Sequence, residues 1–270
     1  MAPLGLAKHT CVGLCLFLGI SVAQGARKSE LDSLNRQLGN EIVKARLKSV
    51  IVVDFVSEQD KPSTLGWYLA DELSENWLAK KPKFNVRDRA ELRDAKIASG
   101  DLNSEMMERL GSVWGVEAIL TGEVQNAPEN YTLSVSVRRV KDNSIVATET
   151  ILIPHSRILD ILQPALEMNN GTLHLTRGGI NGVEVPTCRS CPVPTYTARA
   201  RKARAQGTIV LSVVVSENGR ARGITVVKSL GFGLTQKAIE AVSEWHFKPA
   251  TREGEPVAVV VPIEVTMRLY

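Results

Sequence analysis

The sequence predicts an α+β protein, with an N-terminal α/β sandwich domain followed by a smaller two-layer module of sheet and helix. Three observations carry that prediction. Val50-Ile51-Val52-Val53 is an unbroken β-branched run, short enough for a strand buried on both faces, and such a strand needs helices over its sheet. Tyr131, Leu133, Val135 and Val137 alternate with Thr132, Ser134, Ser136 and Arg138, the period of a strand with one wet face. Thr208 to Val215 and Gly223 to Val227 flank Ser216-Glu217-Asn218-Gly219, an Asn-Gly turn between two strand-forming runs, with a helical pattern after them.

A chain of 270 residues accommodates two domains of ordinary size. Its 33 Lys and Arg against 29 Asp and Glu leave a formal charge of +4, too small to argue for a nucleic-acid partner. Arg199, Arg201, Lys202 and Arg204 do cluster. No aromatic residues interleave with them as a base-stacking platform requires, so they read as a solvated helix face.

The N-terminus carries Lys8, an uncharged apolar stretch from Cys11 to Ala23, and Ala23-Gln24-Gly25 ahead of Arg27 and Lys28. That is the pattern of a secretory signal peptide over 1–25, and it predicts a periplasmic protein. A membrane anchor is the competing reading, but the stretch falls short of the roughly 20 apolar residues that span a bilayer. Thr10 before Cys11 and Leu14 before Cys15 are not the small residues a lipidation site needs.

Residues 26–154 then read as one α/β domain. Leu31, Leu34, Leu38, Ile42 and Ala45 recur at helical intervals, and the Val50 run follows as a strand. Leu65, Leu69, Leu73 and Trp77 repeat every four residues among Asp71, Glu72 and Glu75, giving an amphipathic helix that Pro82 ends. Phe84-Asn85-Val86 is a short strand, Asp88 to Gly115 a helical segment, and Ala118-Ile119-Leu120 a further strand. Lys141-Asp142-Asn143-Ser144 turns the alternating strand into its hairpin partner, Ile145 to Ile153.

Val50 to Phe55, the helix from Leu65, Phe84-Asn85-Val86-Arg87-Asp88-Arg89, Ala118-Ile119-Leu120-Thr121-Gly122-Glu123 and the final hairpin together resemble the N-terminal α/β domain of TolB and the periplasmic domain of CsgG-type envelope proteins. The resemblance implies attachment to an envelope complex and no catalytic role.

Residues 155–187 are dense in turn formers (Asn169-Asn170-Gly171, Gly178-Gly179, Asn181-Gly182) and read as a linker with a short helix near Ile158 to Met168. The C-terminal module occupies 188–270. It opens with a basic helix, Tyr196 to Ala205, for which Gly207 is the expected left-handed cap. After the hairpin, Leu234, Ala238, Ala241, Val242 and Trp245 set one apolar helix face that should pack on it. Glu253-Gly254 is a turn, and Val257 to Leu269 is the last strand.

Five spaced blocks of this module are similar to the TonB C-terminal domain along its whole length: Gln206-Gly207-Thr208-Ile209-Val210-Leu211, Glu217-Asn218-Gly219-Arg220, Lys237-Ala238-Ile239-Glu240-Ala241-Val242, Trp245-His246-Phe247-Lys248-Pro249-Ala250 and Gly254-Glu255-Pro256-Val257. The resemblance implies a three-stranded antiparallel sheet with helices on one face, and an exposed edge that accepts an extended peptide from an outer-membrane TonB-dependent transporter. The family's Gln-Pro-x-Tyr-Pro segment corresponds to Val193-Pro194-Thr195-Tyr196-Thr197. Pro194 and Tyr196 match it, while Val193 and Thr197 depart from it.

Independently of the resemblance, Pro262 argues for an edge, because proline gives no N–H to a ladder. The edge makes Val257, Val259, Val260, Val261 and Ile263 the expected peptide-binding residues, and the resemblance adds Pro194 and Tyr196. Glu264 and Arg268 blunt only the far end of the edge.

Beyond the signal, Cys188 and Cys191 are the remaining cysteines. A local disulfide would contribute little through chain entropy. A metal site would need more ligands than His155, His174 and His246 offer at these spacings. A redox pair would want a helix start, and Pro186, Pro192 and Pro194 mark an extended segment instead. His246, between two core aromatics, reads as a packed or hydrogen-bonded histidine.

No cofactor is implied. Nucleophile triads, paired carboxylates in a motif, phosphate-cradling glycine loops and zinc-protease patterns are all missing from the sequence, so no enzyme is expected. Three readings of function compete: a membrane-anchored energy transducer, which wants an uncleaved span and a long proline-rich linker; a periplasmic adaptor supporting transport or envelope assembly; and a thiol enzyme. The adaptor fits best. Cleavage after Gly25 is the expected outcome, and the intact mass of the exported protein checks it: a mass that retains Met1 to Gly25 in a membrane fraction restores the anchored transducer.

Overall fold

The structure is a computed structural model, and it describes residues 12–89, 102–163, 176–179 and 182–269. The N-terminal part runs α1 (Val12–Lys44), β1 (Ser49–Val52), β2 (Val56–Ser57), α2 (Thr64–Lys80), β3 (Asn85–Val86), α3 (Ser104–Ser112), β4 (Ala118–Asn126), β5 (Asn130–Arg139) and β6 (Ile145–Pro154). Its six-stranded sheet has the order β3-β1-β4-β5-β6, with β2 also beside β4. β3, β1 and β4 are parallel, and β4, β5 and β6 form an antiparallel meander.

The β-branched run is buried on both faces. Val50 and Val52 join the main core with α1 and α2, whereas Ile51 and Val53 join a second cluster with Met107 and Leu110 of α3. The alternation in β5 is equally direct: Tyr131, Leu133, Val135 and Val137 are buried and the residues between them are not. Leu31, Leu34, Leu38 and Ile42 form the buried stripe of α1. That helix runs unbroken past Gly25 to Val12, while residues 1–11 of the expected signal segment lie outside the described residues. Among the described residues no helix is long and apolar enough to cross a membrane. Of the helical segment expected over Asp88 to Gly115, residues 90–101 lie outside the description.

The rest of the chain comprises α4 (Arg157–Asp160), β7 (Thr176–Arg177), β8 (Thr187–Ser190), α5 (Ala198–Ala203), β9 (Gly207–Val215), β10 (Ala221–Lys228), α6 (Leu234–Ser243), β11 (His246–Lys248), β12 (Ala250–Arg252), β13 (Glu255–Val257) and β14 (Val259–Met267). The linker helix expected to reach Met168 is described as the single turn α4, with residues 164–175 outside the description.

Three features differ from the sequence expectations. The sheet has four strands, β10-β9-β14-β7, because linker residues Thr176 and Arg177 add to the antiparallel three as a short parallel strand. Val257 is not part of the last strand. It pairs with Ala250 in a separate β12–β13 hairpin, whose turn residues Glu253 and Gly254 take φ of 53° and 88°, the left-handed pair that a two-residue turn wants. The left-handed cap of α5 is Arg204 (φ 50°), since the helix already ends at Ala203, before Gly207 is reached.

The largest departure concerns α2. The leucine stripe predicts one buried face, yet Trp67, Tyr68, Asp71 and Ser74 are buried as well as Leu65, Leu69, Leu73 and Trp77. The second face meets the C-terminal module: the Gln236 side-chain amide of α6 donates to the Tyr68 carbonyl at 3.2 Å, and one apolar cluster runs through both parts of the chain.

Two glycines test this packing with opposite signs. A Cβ on Gly66 would lie 2.1 Å from the Phe55 carbonyl oxygen, so Gly66→Ala should cost about 1–3 kcal/mol or more. In α1 the nearest atom to a Cβ on Gly39 is 3.7 Å away, and Gly39→Ala should gain about 0.5–1 kcal/mol from helix propensity. Thermal unfolding of the two variants checks both.

Candidate functional site

β14 is the last long strand of the C-terminal sheet. On one side it pairs with β9 from Val259 to Met267, and on the other with β7 at Val259 and Val260 only. Beyond Val260, no strand among the described residues occupies that outer side. Among the described residues, the stretch of β14 without a strand partner on that side is therefore Val261 to Met267, with Gly178 still beside Val261, shifted toward the C-terminus relative to the expected Val257 to Ile263. Val257 belongs to the β12–β13 hairpin, Val259 and Val260 already carry β7, and among the described residues Val261 and Ile263 have no ladder partner on that side. Pro262, which has no N–H, stands just past the point where β7 ends. Along β14 and just past it, Val259, Val261, Val265 and Met267 are buried, Val260 and Ile263 are half-buried, and Pro262, Glu264, Thr266 and Arg268 are exposed.

Pro194 and Tyr196 lie at the far end of this edge. With Val193, Thr266, Met267 and Arg268 they line a cavity of about 500 Å³. The Tyr196 hydroxyl donates to the Ala205 carbonyl at 3.1 Å, which ties the ring to the chain just past the end of α5. Val193, standing where the family has glutamine, is 88% exposed at the rim of this cavity. Thr197, standing where the family has proline, is the N-cap of α5: its hydroxyl accepts from the Ala200 N–H at 3.0 Å and donates to the Phe232 carbonyl at 2.6 Å.

The basic helix is only partly a solvated face. Arg201, Lys202 and Arg204 are exposed, but Arg199 reaches into the N-terminal domain. Its guanidinium pairs with Glu75 of α2 at 2.5 Å and with Asp88, and lies over the Phe232 ring at 5.4 Å from the centroid. Nearby, Arg27 of α1 pairs with Glu72 at 3.4 Å, and buried Arg89 pairs with Asp54 and, at 3.4 Å, with Asp71. The acidic face of α2 is thus consumed by arginines.

Sequence reasoning missed this cluster because an acidic helix face normally faces water. The available signal was Tyr68, set off the leucine stripe at the spacing that joins it to Asp71, Glu72 and Glu75. The pairing of Thr176 and Arg177 with β14 had no signal beyond their strand propensity.

Cys188 and Cys191 are joined by a disulfide next to β8, which pairs with β11. The Trp245 indole N–H donates to the Pro192 carbonyl at 2.9 Å, tying the same extended segment to the end of α6. His246 is half-buried, with Nδ1 3.0 Å from the Glu244 carbonyl and 3.3 Å from the Arg220 guanidinium.

Residues 192–268 match the family model described as Gram-negative bacterial TonB protein C-terminal. The protein tonB2 of Pseudomonas aeruginosa is 41% identical over 76 residues, covering 27% of this chain and 28% of that protein. The protein TonB of Vibrio cholerae is 32% identical over 89 residues, covering 32% of this chain and 36% of its own length. The chain thus spans about a third or less of these relatives. Among solved structures, the C-terminal domain of Pseudomonas aeruginosa TonB aligns with a TM-score of 0.27 at 19% identity, over 36% of this chain and 95% of that one. The C-terminal module is thus similar to the TonB C-terminal domain over residues 192–268.

Burial, with the Asp71 carboxylate adding to it, pushes the Glu75 carboxyl up from its ordinary 4.5 to about 7 against the pull of Arg199. Burial raises Glu72 as well. A carboxyl whose folded pKa lies above its unfolded value holds its proton more tightly in the folded chain. Its stabilising contribution is therefore complete below about 4.5 and lost as the pH rises through about 7. The melting temperature should fall between pH 5 and pH 8, and Glu75→Gln should remove part of that slope. Parallel slopes for the two proteins in thermal unfolding would contradict the burial of this carboxyl.

Proposed function

We propose that this is a TonB-like protein of the periplasm whose C-terminal domain binds extended segments of outer-membrane transport proteins, supporting transport across the envelope. The observation that carries the reading is the open outer side of β14, from Val261 to Met267, ending at the Pro194–Tyr196 cavity. An extended peptide laid there satisfies the free backbone groups of the strand and gains affinity from main-chain hydrogen bonds, while alternate side chains reach the cavity and Ile263. No step of bond making or breaking is required, in keeping with a binding module rather than an enzyme.

In this reading the segment 1–25 directs export and is removed after Gly25. Removal leaves Arg27, and with it the pair to Glu72, in the mature chain. The N-terminal domain attaches to another envelope complex and serves as the anchor by protein contact. The resemblance of its strand and helix order to the TolB and CsgG-type domains motivates that role, as does the exposed hairpin strand β6 at the sheet edge, with Ile145 and Leu152 each 56% exposed.

The test is titration of the full mature chain with peptides from the N-terminal regions of outer-membrane transporters, followed by backbone amide NMR. Binding should shift amides along Val261 to Met267 and at Tyr196. Shifts confined to Ala198 to Ala203, with none along β14, would overturn edge pairing however tight the binding.

A further inference from the structure

Glu264 and Arg268 were read from the sequence as charges that blunt an edge. Their placement gives them a second use. Both are exposed, four residues apart, which is roughly 13 Å of extended chain, Glu264 within β14 and Arg268 one residue past its end. Toward β9 the cross-strand neighbours are uncharged, with Val210 opposite Glu264 and Thr208 opposite Thr266. Among the described residues neither charge has an ion-pair partner.

Arg268 also lines the cavity that holds Pro194 and Tyr196, so one of the two charges stands at the mouth of the site. Two charges of one sign would repel or attract any strand alike. Two of opposite sign at a fixed spacing favour one register and penalise slipped ones, because like charges directly across a ladder repel and opposite charges attract.

β7 supplies the direction. It already runs parallel to β14 on this edge at Val259 and Val260, and a strand laid beyond it continues the same slanted, evenly spaced hydrogen-bond pattern if it too runs parallel. β7 also sets the length, leaving only Val261 to Met267 to be paired.

We propose that the domain selects its peptide by charge order: a short extended segment, parallel to β14, with a cationic side chain opposite Glu264 and an anionic one four residues later, just past the paired stretch, within reach of Arg268. The side chains between them that point to the other face are apolar and pack against Ile263 and the cavity. This rests on the edge-pairing function proposed above.

The experiment uses the full mature chain and three labelled nine-residue peptides with the same apolar positions. One carries Lys then Glu four residues on, one Glu then Lys, and one Ser at both places; binding is read by fluorescence anisotropy at low salt. The Lys-then-Glu peptide should bind roughly two- to tenfold more tightly than the Ser peptide, and the reversed order more weakly. The double variant Glu264→Arg with Arg268→Glu should invert that ranking, and added salt should flatten it. Both substitutions are at exposed positions, and the amide spectrum confirms that the fold is kept. Equal affinity for the two charge orders, or an unchanged ranking in the double variant, overturns the proposal while leaving edge pairing intact. No binding of any of the three peptides overturns edge pairing itself.

Discussion

Helix α2 is packed from two sides, and what it carries on the second side governs how the two parts of the chain meet. One face is the leucine stripe on the N-terminal sheet, and the other presents Tyr68, Asp71, Glu72 and Glu75 to the arginines of three separate segments. Taking carboxylates and guanidinium groups out of water costs several kcal/mol per ion, and pairing returns that cost only when the geometry is good. The raised pKa of Glu75 shows that the return is incomplete there. Such pairs add little net stability, but they are directional. An apolar contact of similar area tolerates sliding, whereas Arg199 between Glu75 and Asp88 allows one placement of α5 against α2.

This explains which parts of the fold were legible in the sequence. Val50 to Val53 could be read as doubly buried because every residue of the run is β-branched, and the structure puts alternate members under α1 with α2 and under α3. The β5–β6 hairpin and the β9–β10 hairpin were legible from alternation and turn residues, which are local signals. The second face of α2 was not, because its burial is set by Arg27, Arg89 and a module more than a hundred residues away, and no helical period distinguishes a carboxylate that meets water from one that meets arginine. Arg199 was misread for the same reason, in company with three neighbours that are solvated.

The candidate site was legible as residues but not as geometry. Pro194 and Tyr196 could be named from a resemblance, and Pro262 pointed to an edge on physical grounds. The position of the opening along β14 depends on two facts with no local signature: the chain breaks at Ala258, sending Val257 into another hairpin, and a two-residue linker strand covers Val259 and Val260. Together they move the opening to the end of the strand where Tyr196 already stands. Thr197 shows the reverse case, a departure from the family motif that acquires its own role as the cap of α5.

These constraints meet in one short helix. α5 begins two residues after Tyr196, and Arg199 lies on its first turn. One wall of the cavity, Pro194 and Tyr196, is therefore carried on the segment that Arg199 fastens to Glu75 and Asp88, while the opposite wall, Thr266 to Arg268, belongs to the end of β14. The width of the cavity depends on the distance between a helix clamped to the N-terminal domain and a strand held by β9. Movement of α2 relative to the C-terminal sheet would open or close it.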